Sequence, residues 1–119
     1  MSSRFTELCV DCRDAPALAE FWCAVLDWRV TDTEPGYVEI KGDDPGPTIL
    51  FAEVPEAKTV KNRIHIDVNP RDREQGEEVE RILGLGARRA DVGQGDDVSW
   101  VVLADPEGNE FCVLRTRRP

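Results

Sequence analysis

Two stretches, Glu7-Leu-Cys-Val-Asp-Cys-Arg-Asp14 and His65-Ile-Asp-Val-Asn-Pro-Arg-Asp72, decide how this chain folds. Laid over one another at an offset of 58 residues, they match Val10 with Val68, Arg13 with Arg71 and Asp14 with Asp72, and the match continues with Glu20 over Glu78. These four identities in the twenty positions 7 to 26 compare with about one expected from average residue usage. A repeat of this kind governs the reading of everything around it.

Working outward from the first copy, Phe5 to Cys12 alternates between two faces with the period of a strand, Phe5, Glu7, Cys9 and Asp11 on one and Thr6, Leu8, Val10 and Cys12 on the other. Asp14 then opens a helix. Leu18, Phe21, Trp22, Val25 and Leu26 form one apolar stripe, and Pro16 is tolerated because the first turn needs no N–H partner. Strand-like runs follow at Trp28–Thr33, Tyr37–Lys41 and Thr48–Val54, parted by turn-forming Pro and Gly clusters. The second copy repeats this order. Arg63–Asn69 alternates, Asp72 with Gln75 resembles a capping box ahead of a helix carrying Val79, Ile82 and Leu83, and Gly84 and Gly86 end it. Strands are expected at Ala87–Val92, Val98–Ala104 and Glu110–Arg115, the last two joined by the turn Asp105-Pro-Glu-Gly-Asn109. The expectation is one α+β domain over residues 1–119 made of two βαβββ modules, 5–54 and 63–116, with residues 55–62 as linker. A sheet carrying one helix leaves its other face bare, so the halves are expected to combine around a shared cleft.

Composition narrows the partners. Asp and Glu number 24 against 15 Lys and Arg, giving a net charge of −9 and a pI of about 4.6. That sign repels phosphate backbones and anionic lipid, so neither nucleic acid nor membrane is an expected partner. With 119 residues, 40% of them apolar, a core is available without disulfide or metal staples. No run of 18 apolar residues occurs and the first residues lack a secretory pattern, so a cytoplasmic location is expected. Cys9, Cys12, Cys23 and Cys112 are then expected as reduced, buried thiols. Cys9-Val-Asp-Cys12 has the spelling of a redox or zinc motif, but Cys9 lies mid-strand and no second such pair completes a zinc site. Gly42-Asp-Asp44 and Gly95-Asp-Asp97 lack the spacing of a calcium loop and read as solvated turns.

Further segments carry a family resemblance: Arg13-Asp14 leading into Leu18-Ala-Glu-Phe-Trp22, Val25-Leu-Asp-Trp28, Lys61-Asn-Arg-Ile-His-Ile-Asp67, Leu83-Gly-Leu-Gly-Ala87 and Leu103-Ala-Asp-Pro-Glu-Gly-Asn-Glu-Phe-Cys112. Over residues 5 to 115 the chain resembles the vicinal oxygen chelate superfamily, which includes glyoxalase I, bleomycin-resistance proteins, fosfomycin-resistance enzymes and extradiol dioxygenases, and is most similar to its glyoxalase-like branch. The resemblance implies that the two βαβββ modules form an incomplete barrel around a ligand cleft, commonly in a homodimer. Metal-using members take ligands from the first and last strand of each module. The matching positions here are Glu7, His65, Cys112 and, in the last strand of module one, Phe51 or Ala52 with Glu53 one step off. One imidazole, one carboxylate, one thiol and one apolar position do not reproduce that set, so no metal and no other cofactor is expected.

The expected function is therefore that of a glyoxalase-like small-molecule binder, holding or sequestering a small polar or cationic ligand that the negative charge would favour. Its ligand-binding residues would be Glu7, His65, Trp100 and Cys112, with Trp22 and Trp28 assigned to the core. The alternative is a lyase, isomerase or dioxygenase-type enzyme of the same superfamily, using a degenerate metal site or Glu7 and His65 as an acid/base pair. A third class, a partner module with a collapsed cleft, would expose an apolar patch.

Overall fold

Strand β1, Glu7–Cys12, alternates as its sequence requires: Glu7, Cys9 and Asp11 are exposed while Leu8, Val10 and Cys12 turn inward. The computed structural model describes residues 1–95 and 97–119, which divide into two compact units, 1–57 and 58–119. In the first unit β1 is followed by α1 (Ala15–Leu26), β2 (Arg29–Glu34), β3 (Tyr37–Lys41) and β4 (Thr48–Glu53). The sheet order is β1-β4-β3-β2, with β1 parallel to β4 and the other pairs antiparallel. One sheet face, built from Val38, Ile40, Ile49 and Phe51, is buried with the α1 stripe of Leu18, Phe21, Trp22 and Val25. Helix α1 starts where Asp14 accepts the N–H of Ala17 at 3.1 Å, and Glu53 reaches back from β4 to accept the N–H of Ala15 at 3.0 Å. It stops at Asp27, whose left-handed backbone (φ 56°) terminates the hydrogen-bond ladder.

The second unit repeats the order with β5 (Ile66–Val68), α2 (Gln75–Gly84), β6 (Arg88–Arg89), β7 (Val101–Ala104) and β8 (Glu110–Val113). Its sheet runs β5-β8-β7-β6, and again the first and last strands, β5 and β8, are parallel. The chain is thus α+β with two βαβββ modules, each an open four-stranded mixed sheet carrying one helix. Among the described residues, no helix is long and apolar enough to cross a membrane.

Module two departs from the sequence reading in its boundaries. Helix α2 is capped by Glu74 and Glu77 in a reciprocal box, not by Asp72 and Gln75. Arg73 holds the Asp72 carboxylate, and Gln75 donates instead to the carbonyls of Ser99 and Val113 at 2.8 and 3.0 Å. The strand expected at Ala87–Val92 shrinks to Arg88–Arg89. Beyond Ala90 the side chains of Asp91 and Gln94 take the local backbone N–H groups of Gly93 and Val92, a competition that ends ladder pairing. The turn before β8 is held by Asp105, 1% exposed, whose carboxylate accepts the N–H groups of Glu107 and Asn109, both at 2.9 Å. Gly108 completes it at φ 89°, where a side chain would be strained. Of the acidic turn Gly95-Asp-Asp97, Asp96 lies outside the described residues.

Candidate functional site

The parallel register of β5 and β8 sets Asp67 directly opposite Cys112, and β7 sets Val102 beside Cys112 on its other flank. Strand alternation puts His65, two residues before Asp67, on the same face. As a result His65 Nε2 lies 3.2 Å from an Asp67 carboxylate oxygen, and the ligand atoms of His65, Asp67 and Cys112 all fall within 4.8 Å of one another. These side chains close the polar end of a pocket of about 330 Å³ in module two. Its apolar wall comes from Val92, Trp100, Val102 and Leu114, and Lys61, Gln94 and Glu110 complete the lining.

Charge is distributed unevenly within this pocket. Burial pushes the Cys112 thiol above its ordinary pKa, and the neighbouring Asp67 charge, with the hydrogen bond between them, pushes it further against a small opposing effect of Lys61. The group is therefore a neutral S–H donor near pH 7. For Glu110, burial works to raise the pKa but is outweighed. Lys58 lies 2.8 Å from one carboxylate oxygen and the Asn62 N–H donates to the other at 3.0 Å, holding the group below the usual carboxylate range. Glu110 is thereby committed to tying the 58–62 segment to the start of β8, and the Asn62 amide reinforces that tie through Asn109 at 2.8 Å. His65 and Asp67, with side chains 42% and 48% exposed, are open to a ligand, as is the exposed Lys61.

Of the residues singled out from sequence, His65, Trp100 and Cys112 are brought together here. Trp100 lies just before β7 instead of mid-strand. Glu7 opens β1 in module one, exposed on the same face as Cys9 and Asp11. Cys9 is exposed, contrary to the expectation of buried thiols, because alternation turns it away from Cys12, which is buried. Residues three apart on a strand face opposite ways, so Cys9 and Cys12 do not converge on one ligand. In β4, Phe51 is buried, Ala52 shares the face of Asp11 by register, and Glu53 is occupied with the start of α1. Trp28, assigned to the core, is only half-buried: its indole lies over Gly42, where an added Cβ would stand 2.5 Å from Nε1. It lines a second hollow of about 400 Å³ with Ala19, Cys23, Val30 and Val38, to which Glu20, Arg29 and Thr33 also contribute.

Asp67 was missed by the sequence reading. Its spacing from His65 on an alternating strand is a signal of a shared face, but its approach to Cys112 depends on a register between strands far apart in sequence.

The glyoxalase-like domain family model matches residues 7–114. Comparison with curated protein sequences gives no match. Among solved structures, the chain is similar to a glyoxalase/bleomycin resistance protein/dioxygenase family enzyme from Burkholderia phytofirmans, at 17% identity and TM-score 0.69 over 91% of this chain and 94% of that one. The fosfomycin resistance protein FosX from Mesorhizobium loti gives 15% identity and TM-score 0.72, covering 96% and 92%. A mutant FosX from Listeria monocytogenes, complexed with Mn(II) and a dihydroxypropylphosphonic acid, gives 16% and 0.74, covering 96% and 90%. Likeness at these identities concerns the fold.

Proposed function

The chain belongs to the glyoxalase-like domain family, within the vicinal oxygen chelate superfamily, and from that premise we propose that it binds a small polar or cationic molecule in the module-two pocket. The observation that carries this reading is the convergence of His65, Asp67 and the Cys112 thiol in a pocket whose apolar wall is Val92, Trp100, Val102 and Leu114. An apolar wall supplies affinity and a few placed polar groups supply orientation. The exposed Asp67 carboxylate and the net charge of −9 favour a cationic group at that end. The working form proposed is a cytoplasmic homodimer, a reading supported by the exposure of Phe5, Val30 and Ile64. Light scattering that gives the mass of one chain at micromolar concentration would refute the dimer.

An enzyme of the same superfamily is the second reading, favoured by the same three donor groups. The Listeria FosX complex contains Mn(II). At the first-strand positions that the resemblance implies this chain offers Glu7 and His65, but at the last-strand positions it offers a thiol at Cys112 and an apolar residue at Phe51 or Ala52, which do not complete a set suited to a hard ion.

A thermal-shift screen of cationic, neutral and anionic small molecules tests the binding reading. Cationic compounds should stabilise the wild type most, and His65→Ala or Asp67→Asn should weaken the best of them by roughly five- to a hundredfold, as for one lost polar partner. Unchanged affinity in both variants would refute it.

A further inference from the structure

We infer that the module-two pocket selects a zwitterion, an amino-acid-like molecule with an apolar side chain, whose ammonium group stands at Asp67 and whose carboxylate stands at Lys61. The inference rests on the pocket reading above and narrows it: among molecules bearing a cationic group, those that also bear a carboxylate bind best. Asp67, Glu110 and Lys61 all line the pocket, beside His65. Glu110 is already occupied, one carboxylate oxygen by the Lys58 ammonium at 2.8 Å and the other by the Asn62 N–H at 3.0 Å. Lys61 is left without a carboxylate. Among the described residues it forms no ion pair with Asp67 or Glu110, and its Nζ donates to the carbonyl of Asn62 at 3.1 Å. Its charge nonetheless reaches the polar end of the pocket, where it opposes the upward push of Asp67 on the Cys112 thiol.

Asp67 is held by neutral partners of the pocket wall. His65 Nε2 stands 3.2 Å from its carboxylate and the Cys112 thiol donates to it, so the group is fixed while 48% of its side chain stays exposed. A positive and a negative group therefore face one pocket without pairing directly. A simple cation satisfies Asp67 but meets the Lys61 ammonium, and a simple anion satisfies Lys61 but meets Asp67. A molecule carrying both groups satisfies each through a charge-assisted hydrogen bond. The volume of about 330 Å³ lies at the small end of ligand pockets and suits a body of amino-acid size, its side chain against Val92, Trp100, Val102 and Leu114. Trp100 is 40% exposed, so its ring is open to stack on an aromatic side chain. Glu110 acts here as a positioning residue: by binding Lys58 and the Asn62 N–H it fixes the chain on either side of Lys61 and so holds the ammonium at the pocket.

Calorimetric titration of the full chain with three matched probes tests this. Phenylalanine carries both charges, phenethylamine only the ammonium and phenylpropionate only the carboxylate. Phenylalanine should bind at least about fivefold tighter than either, the effect of one charged hydrogen bond. In Lys61→Met, which replaces an exposed side chain with one local hydrogen bond, phenylalanine should fall to the level of phenethylamine, whose own affinity should hold or rise. Asp67→Asn should bring phenylalanine down to the level of phenylpropionate. Glu110→Gln should weaken phenylalanine by loosening Lys61 while leaving phenethylamine unchanged, a split that a merely structural role would not produce. Phenethylamine binding as tightly as phenylalanine, or a preference for phenylalanine that survives in Lys61→Met, would overturn the zwitterion inference and leave the cationic reading of the pocket standing. Phenylpropionate binding tightest, or no binding of any of the three at millimolar concentration, would overturn both.

Discussion

Glu110 and Cys112 stand two residues apart on one face of β8, yet their surroundings drive them to opposite charge states. The Glu110 pKa is lowered in the folded protein, so its stabilising contribution is complete above the ordinary glutamate pKa near about 4.3 and is lost as pH falls through the lowered folded-state value. Glu110→Gln should therefore cost roughly 1–3 kcal/mol at pH 7, and urea melts should show the gap to wild type narrowing as the pH is taken below that ordinary range. The thiols give a second prediction. Cys9 is exposed although its pKa is raised, by partial burial first and then by Asp11 and Glu7, whereas Cys12 and Cys112 are buried. Iodoacetamide at pH 7.5 should label Cys9 slowly and the other two more than tenfold more slowly still, as read by peptide mass spectrometry. Labelling of Cys112 ahead of Cys9 would mean that the pocket floor is open to solvent.

Helix α1 is held at its start by two carboxylates of different origin, Asp14 from the preceding turn and Glu53 from the end of β4. Asp14→Ala should cost about 0.5–2 kcal/mol, the usual value of an N-cap. Glu53→Gln should cost less, about 0.3–1 kcal/mol, since it keeps the side-chain oxygen and loses only the charge at the positive helix end. A larger loss in Glu53→Gln than in Asp14→Ala in thermal melts would show that Glu53 and not Asp14 fixes the helix start. The local character of Asp14 explains why α1 was legible in sequence: its cap, its stripe and Pro16 all lie within one stretch of chain. Helix α2 and the short strands were less legible because distant groups intervene. Gln75 is drawn away by carbonyls on the β7 and β8 sides, and β6 is cut short by the side chains of Asp91 and Gln94. The same divide runs through the site. His65 and Cys112 stood out as positions that the family resemblance implies for ligands, while Asp67 gained its meaning only from the β5–β8 register.

At the scale of the whole chain, the excess of nine negative charges vanishes near the pI of about 4.6. Solubility should pass through a minimum there and recover above pH 6, which turbidity across a pH series would register; a flat profile would refute the role of net charge in keeping the molecules apart. The topology has a different consequence, one of time. In both modules the first strand has the last as its neighbour, Glu7 beside Thr48 and Ile66 beside Phe111, so neither sheet can be assembled from neighbouring hairpins alone. Such long loops must close before β1 or β5 gains a partner, which places the chain among slower folders than a helical protein of its size. On the ribosome β1 must wait unpaired until β4 has cleared the exit tunnel, and β5 must wait in the same way for β8. These waits of an unfinished strand edge are the intervals of exposure during which a nascent chain would most need a chaperone.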